Sequence, residues 1–212
     1  MSYQTQDFLM YNYTDGRPYG VDNITIHHVA GNASAQSIAN TLNNRGVSAH
    51  YCIGNDGIVG TLVEEWKRAW HAGDGIGYNS KGNDRGIGIE VTNDEVGGNW
   101  HVSDRSFEIL VELCYDIAVR NGLLPLKRGT TLTAHCDLSS TSCPGPYLYN
   151  KLDELCDRVN NFGKKKDPVW VKMDNPRIMV TKAGAKLVTV KTGEVVKTYS
   201  AGTSLNLLQK TE

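Results

Sequence analysis

Helix-period and strand-period segments alternate from residue 24 to residue 160 of this 212-residue chain, and that alternation confines it to helices packed on a sheet. Ala35, Ile38, Ala39 and Leu42 recur at helical spacing behind a Ser34 cap and stop before Gly46. A longer helix is expected from about Asp104 to Asn121, with Phe107, Leu110, Val111, Cys114, Ile117 and Ala118 on one stripe and Gly122 as terminator. A third begins near Pro146, a tolerated first-turn position, and carries Leu148, Leu152, Leu155, Cys156 and Val159. Strands are expected at Ile24 to Val29, Tyr51 to Ile53, Ile58 to Leu62, Ile87 to Thr92 and Thr131 to Ala134, with Asn55-Asp56-Gly57 turning the second into the third. The expected fold class is α/β, a central mixed sheet flanked by helices.

The pattern changes at Gly163-Lys164-Lys165-Lys166-Asp167-Pro168, a polar stretch without apolar periodicity. From Gly163 onward ten Lys and Arg face four Asp and Glu, a net +6, leaving 12 against 19, a net −7, in the first 162 residues. Two domains of opposite charge are therefore expected, 1–162 and 163–212. The second offers the short runs Val169 to Met173, Ile178 to Val180, Leu187 to Val190, Val195 to Tyr199 and Leu205 to Leu208, which read as a small all-β module. Few strands remain after Leu205 to close a barrel, so the expected module is incomplete or paired with another copy. A basic tail attracts polyanions such as nucleic acid, acidic lipid or phosphate-rich wall polymers, and charge alone does not choose among them.

No basic stretch followed by a long apolar one opens the chain, so no secretory signal is expected, and no segment approaches a membrane span. The five cysteines are odd in number and lie mostly within apolar patterns. They are expected to be reduced thiols in a protein made in a cytoplasm.

The chemistry concentrates in a few polar positions. His135 and Cys143 lie eight residues apart in a polar, turn-rich loop, far downstream of the His27-His28 pair. One histidine of that pair together with His135 and Cys143 would hold a zinc ion by three ligands and leave a fourth position open, the arrangement of hydrolytic rather than structural zinc sites. In Ile24-Thr25-Ile26-His27-His28, period-two alternation sets His27 apart from the isoleucine face and leaves His28 on it, where a packing role is expected. In Gly86-Ile87-Gly88-Ile89-Glu90-Val91-Thr92 the same rule puts Glu90 opposite the apolar face, with Gly88 clearing space beside it. Cys136 is expected to point away from His135 and be buried if the strand continues through it, and His101 carries no evident chemistry. Cys143 as a nucleophile with His135 as base is the rival arrangement of the same residues. Gly73-Asp74-Gly75-Ile76-Gly77 lacks the spacing of a dinucleotide fingerprint, and His-Glu-x-x-His and zinc-deaminase motifs are absent.

These segments carry a resemblance. Ile26-His27-His28-Val29-Ala30, Ser48-Ala49-His50-Tyr51, Trp70-His71-Ala72-Gly73-Asp74-Gly75, Gly86-Ile87-Gly88-Ile89-Glu90 and the loop from His135 to Cys143-Pro144, in this order, resemble the type-2 zinc N-acetylmuramoyl-L-alanine amidases, which include phage endolysins and the animal peptidoglycan recognition proteins. The resemblance covers roughly residues 20 to 162. It implies one Zn2+ per chain on His27, His135 and Cys143, and cleavage of the amide between the lactyl group of N-acetylmuramic acid and L-alanine. It also implies that Glu90 is the general base and later proton donor, and that His71 with Trp70 contacts the muropeptide, with His50 and Tyr51 as weaker candidates for the cleft wall. Two residues before the metal-binding cysteine many phage members have lysine, whereas Thr141 stands here, as in animal members. A hydroxyl can donate to an oxyanion without supplying charge, so Thr141 is a candidate helper.

The tail resembles, more loosely, bacterial Src-homology-3-like wall-binding modules, with Trp170, Tyr199 and its basic residues suited to glycan, peptide-bridge and anionic polymer contacts. Partners implied are peptidoglycan and such polymers, with no nucleic acid and no membrane. Without a signal the enzyme is expected to reach the wall by a separate release route, as a lysis protein would. A non-catalytic peptidoglycan-recognition module is the alternative; it would ordinarily have lost a ligand, and Cys143 favours the enzyme. An intracellular regulator using the basic tail would instead be retained on DNA at physiological salt.

Overall fold

The computed structural model describes residues 3–8, 10–74 and 82–163 in full, and beyond them the backbone of 177–179, 185–188, 195–199 and 204–206. The chain divides into two compact units, Met1–Lys164 and Lys165–Glu212. The first contains strands β1 (Gln4–Asp7), β2 (Tyr13–Thr14), β3 (Asn23–His28), β4 (Tyr51–Ile53), β5 (Ile58–Thr61), β6 (Arg68–Ala69), β7 (Gly86–Val91) and β8 (Leu132–Ala134). Its helices are α1 (Ala35–Asn44), α2 (Gly82–Arg85), α3 (Asp104–Asn121) and α4 (Gly145–Asn160).

Six strands form one sheet in the order β1-β5-β4-β7-β3-β8. Only the β4–β5 hairpin is antiparallel; β1–β5, β4–β7, β7–β3 and β3–β8 are parallel, so the sheet is mixed. Strands β2 and β6 form a separate antiparallel pair. Helices α3 and α4 cover one face, packing Leu110, Cys114, Ile117, Leu148, Leu152 and Leu155 on Ile24, Ile26, Ile87, Ile89 and Val91. Helix α1 covers part of the other face, where Ile38, Ala39 and Leu42 meet Phe8, Met10, Cys52 and Ala69. Cys52 and Ile53 belong to different clusters because adjacent strand residues point to opposite faces.

The helix ends follow local chemistry. Ser34 Oγ accepts the Ser37 N–H to start α1, and Ser103 Oγ accepts the Ser106 N–H to start α3, with Asp104 in its first turn and Arg120 in its last. Gly122 ends α3 at φ 66°, a left-handed conformation that glycine adopts without a Cβ clash. β1, β2, β6 and α2 lie outside the expected elements. β1 is Gln-Thr-Gln-Asp, exposed at all four positions, so it has no apolar alternation to read, and pairing with β5 alone makes it a strand.

One expectation needs correction. The chain does not stay extended through Cys136: β8 ends at Ala134 and residues His135–Asp137 turn into a 3-10 helix. Cys136 is consequently half-buried at the margin of the α3/α4 core. All five cysteines are free thiols, with Cys52, Cys114 and Cys156 buried.

In the second unit β9 (Arg177–Met179) pairs antiparallel with β12 (Ser204–Asn206), and β10 (Ala185–Val188) pairs antiparallel with β11 (Val195–Tyr199). The expected strand at Val169 to Met173 lies outside the described residues. Among the described residues no helix is long and apolar enough to cross a membrane.

Candidate functional site

Three parallel strands deliver polar side chains to one end of the sheet, where ligand sites of open α/β sheets ordinarily form. His27 and Glu90 are opposite each other in the β3–β7 register, and Ile26 pairs with Ala134, the last residue of β8. His135 follows at once in the 3-10 helix, whose start is fixed by the Ala134 N–H donating to Asp137 Oδ2 at 2.7 Å. The loop then returns Cys143 to the same place. The Cys136 N–H donates to Cys143 O at 2.9 Å, and the His28 N–H points at Cys143 Sγ at 3.4 Å.

His27 Nδ1 is 3.1 Å from His135 Nδ1 and 3.7 Å from Cys143 Sγ, and the three donor atoms all lie within 4.8 Å of one another. Tetrahedral zinc with bonds of about 2.0–2.1 Å to nitrogen and about 2.3 Å to sulfur spaces its ligands by about 3.3 and 3.6 Å. The donor set therefore fits such an ion in both element type and spacing. His27 is held neutral, well below the ordinary histidine range, first by burial and then by the neighbouring imidazoles, and burial also lowers His135. Burial raises the Cys143 thiol, and Glu90 raises it further. A thiol so placed, with no imidazolium beside it, is poorly activated as a nucleophile but would ionise beside a bound cation.

Glu90 Oε1 is 4.0 Å from His27 Nδ1, and 14% of its side chain is exposed. Its Oε2 is buried without a hydrogen-bond partner. Burial raises the carboxyl to about 8, against a smaller opposing effect of Arg45. A cavity of about 40 Å³ lies beside it, lined by His28, Thr41, Arg45 and Glu90 among others. A larger groove of about 340 Å³, lined by Tyr3, Asp56, Arg105 and Glu108 among others, contains none of the candidate residues.

A second tier of buried side chains supports this end of the sheet. His27 Nε2 is 3.1 Å from His71 Nδ1, and His71 Nε2 is 3.2 Å from the Gly86 carbonyl. A Cβ on Gly88 would stand 2.6 Å from the His71 ring, so the space this glycine clears is filled by His71. Asn83 Oδ1 accepts both the His71 and Ala72 N–H groups, at 2.8 and 2.7 Å. Ser139 Oγ donates to the Ala72 carbonyl at 2.8 Å, tying this segment to the His135–Cys143 loop. Arg17 donates to the carbonyls of Glu65, Asp84 and Gly86. Asn83 and Arg17 had no signal in the sequence, because each acts on backbone brought close only by folding.

The other candidates separate by location. His50 has no exposed surface; its Nδ1 accepts the Gly88 N–H at 3.0 Å and its Nε2 is 3.2 Å from Lys67 O, so its ring braces β7 rather than lining an open wall. Tyr51 shares the α3 face with Ile53 and donates to Glu65 Oε1 at 2.8 Å, away from the face of His27 and Glu90. Trp70 is 37% exposed, with its indole N–H on Thr14 Oγ1 at 3.0 Å. Thr141 is exposed, and its Oγ1 accepts the Cys143 N–H at 3.2 Å. His28 packs against Trp100, ring centroids 5.2 Å apart, as its parity predicts.

The sequence model of the N-acetylmuramoyl-L-alanine amidases matches residues 15–146. The chain belongs to this family. Solved structures share the fold of the amidase: a mutant of PlyL at TM-score 0.57 and 20% identity, covering 75% of this chain and 98% of that one; the N-acetylmuramoyl-L-alanine amidase LysC from Clostridium intestinale at TM-score 0.52 and 23% identity, covering 73% and 97%; and the Staphylococcus aureus hydrolase AmiA, in complex with its ligand, at TM-score 0.57 and 16% identity, covering 74% and 82%. No curated protein sequence matches the chain. The expected α/β architecture is thus that of type-2 amidases, and the matched segment contains His27, Glu90, His135 and Cys143.

Proposed function

We propose that the amidase is a zinc-dependent endolysin that hydrolyses the amide between N-acetylmuramic acid and L-alanine of peptidoglycan. The observation that carries this reading is the convergence of His27 Nδ1, His135 Nδ1 and Cys143 Sγ within 4.8 Å beside a buried carboxyl. Zinc bound to these three would polarise the scissile carbonyl and lower the pKa of an attacking water.

The chain's own residues do the rest. Glu90 accepts the proton of the attacking water at a carboxylate oxygen and passes it to the departing L-alanine nitrogen. Burial raises the Glu90 carboxyl to about 8 despite Arg45; a cation bound nearby would favour its ionised form, as the base role needs. Trp70 offers an exposed ring at the start of the segment that leads into His71, suited to the muropeptide. Thr141 shapes the loop through the Cys143 N–H, and its hydroxyl can turn to donate to the oxyanion. The basic tail, ten Lys and Arg against four Asp and Glu, is proposed to add attraction to anionic wall polymers.

Digestion of purified walls tests the reaction. New L-alanine amino termini that disappear with chelator are expected; new reducing sugar ends would indicate a glycosidase and overturn the reading. Comparing residues 1–162 with the whole chain in wall pull-downs tests the tail, and equal binding would remove its role.

A further inference from the structure

A line of three groups runs through the interior behind the candidate metal site: the Gly86 carbonyl, the His71 ring and the His27 ring. Its chemistry fixes where the protons are. A carbonyl only accepts, so His71 Nε2, 3.2 Å from Gly86 O, carries the hydrogen. The ring is only 8% exposed, has no carboxylate against it among the described residues, and shares the Gly86 carbonyl with the Arg17 guanidinium, so nothing there stabilises a second proton and its Nδ1 is a lone pair. That lone pair faces His27 Nε2 at 3.1 Å, which must therefore be the donor. A neutral imidazole with hydrogen on Nε2 has none on Nδ1. His27 Nδ1 is the atom directed at His135 and Cys143.

We infer that His71 is a positioning residue: by accepting from His27 Nε2 it locks His27 in the one tautomer whose Nδ1 can bind the metal. The inference rests on the metal-site reading above. The two imidazoles of that site differ in what they require. His135 is half-buried and open to solvent, so it can move its proton between ring nitrogens through water. His27 is 1% exposed and cannot, so its tautomer must be set from within. Three other features hold the relay in line. Gly88 leaves room for the His71 ring, Asn83 fixes the His71 backbone, and Arg17 grips the same Gly86 carbonyl that His71 uses. Partners of this kind, hydrogen-bonded to the far nitrogen of a ligating histidine, change metal affinity by about 10- to 100-fold.

The test uses the full chain. Long-range 1H–15N correlation spectra of metal-free wild type should show His27 protonated on Nε2; protonation on Nδ1 overturns the inference. Zinc affinity is then measured by chelator competition for His71→Leu and His71→Gln. The leucine variant should bind zinc about 10- to 100-fold more weakly. The glutamine, whose amide can accept from His27 and donate to Gly86, should recover most of that loss. Wild-type affinity in His71→Leu overturns the inference, and so does a failure of glutamine to improve on leucine. Should His71→Leu not fold, the wild-type spectrum and the glutamine variant decide. Wild type that binds no zinc would instead sink the metal-site reading, while the His27 tautomer would still be read from its spectrum.

Discussion

The two faces of β3 and β7 are built from alternate residues of the same six-residue strands, yet they are stabilised differently. Toward α3 and α4 the strands present Ile24, Ile26, Ile87, Ile89 and Val91, each 0% exposed. Apolar contact needs no fixed direction, so that face gains stability simply by excluding water. Toward the other side they present Thr25, His27, Gly88 and Glu90, where directional groups must each find a partner. Thr25 has Asn23 and Thr133, and His27 has His71 and His135. Glu90 keeps one oxygen buried without one, and an unpaired buried carboxyl oxygen is destabilising, a cost that is found most often at functional sites. Strand parity thus divides the labour, and substitutions on the two faces should give different signatures.

The most severe test is Cys143→Ser, which should abolish zinc binding and wall hydrolysis while leaving the helical circular dichroism intact. A loaded, active variant would show that the polar face is no metal site. Glu90→Gln should lower kcat by about 10²- to 10⁴-fold, the usual range for a general acid–base group, with zinc content retained. Loss of zinc would make Glu90 a ligand instead of a proton carrier. On the opposite face, Ile89→Ala should cost about 2–5 kcal/mol in urea unfolding, with kcat per folded molecule unchanged. An equal loss of kcat would mean that the faces are energetically coupled.

Acid should act most strongly through the fully buried imidazoles of the polar face. His50 and His71 are held below the ordinary 6.5 by burial, His71 at about 3. Between those values the unfolded chain binds protons that the folded one does not, so stability rises with pH there. The metal-free protein should be fully stabilised by this linkage above pH about 6.5 and lose stability progressively as pH falls toward 3. A flat unfolding free energy between pH 7 and 5 would contradict the neutral, buried imidazoles. Thr141→Ala should have the smallest effect, a few-fold in turnover, about 1 kcal/mol for one hydrogen bond, with metal content intact. Metal loss there would show that the hydroxyl acts by holding Cys143.

How much of this was legible varied with the range of the interactions. α3 runs from Asp104 to Asn121, the expected limits, because a serine cap, an apolar stripe and a terminal glycine are all local signals. β1 was illegible because four exposed polar residues become a strand only against β5. At the site, parity singled out His27 over His28 and turned Glu90 from the apolar face. The same rule, applied to Tyr51-Cys52-Ile53, would have moved Tyr51 to the α3 face, where it lies. His50 and His71 were legible as residues but not in their roles, since one serves β7 backbone and the other a ring 44 residues away.

Taken alone, the sequence determined the alternation of helix and strand, the face each strand residue would take, and the supply of two imidazoles, a thiol and a carboxyl. Those properties arise from backbone geometry and capping within a few residues of chain. Folding decided the rest: the register that puts His27 beside Glu90, the turn after β8 that brings His135 and Cys143 to the end of β3, and the buried line from Gly86 to His27. These depend on strands distant in sequence meeting edge to edge, and hydrogen-bond partners at such range are chosen by topology, which no local pattern encodes.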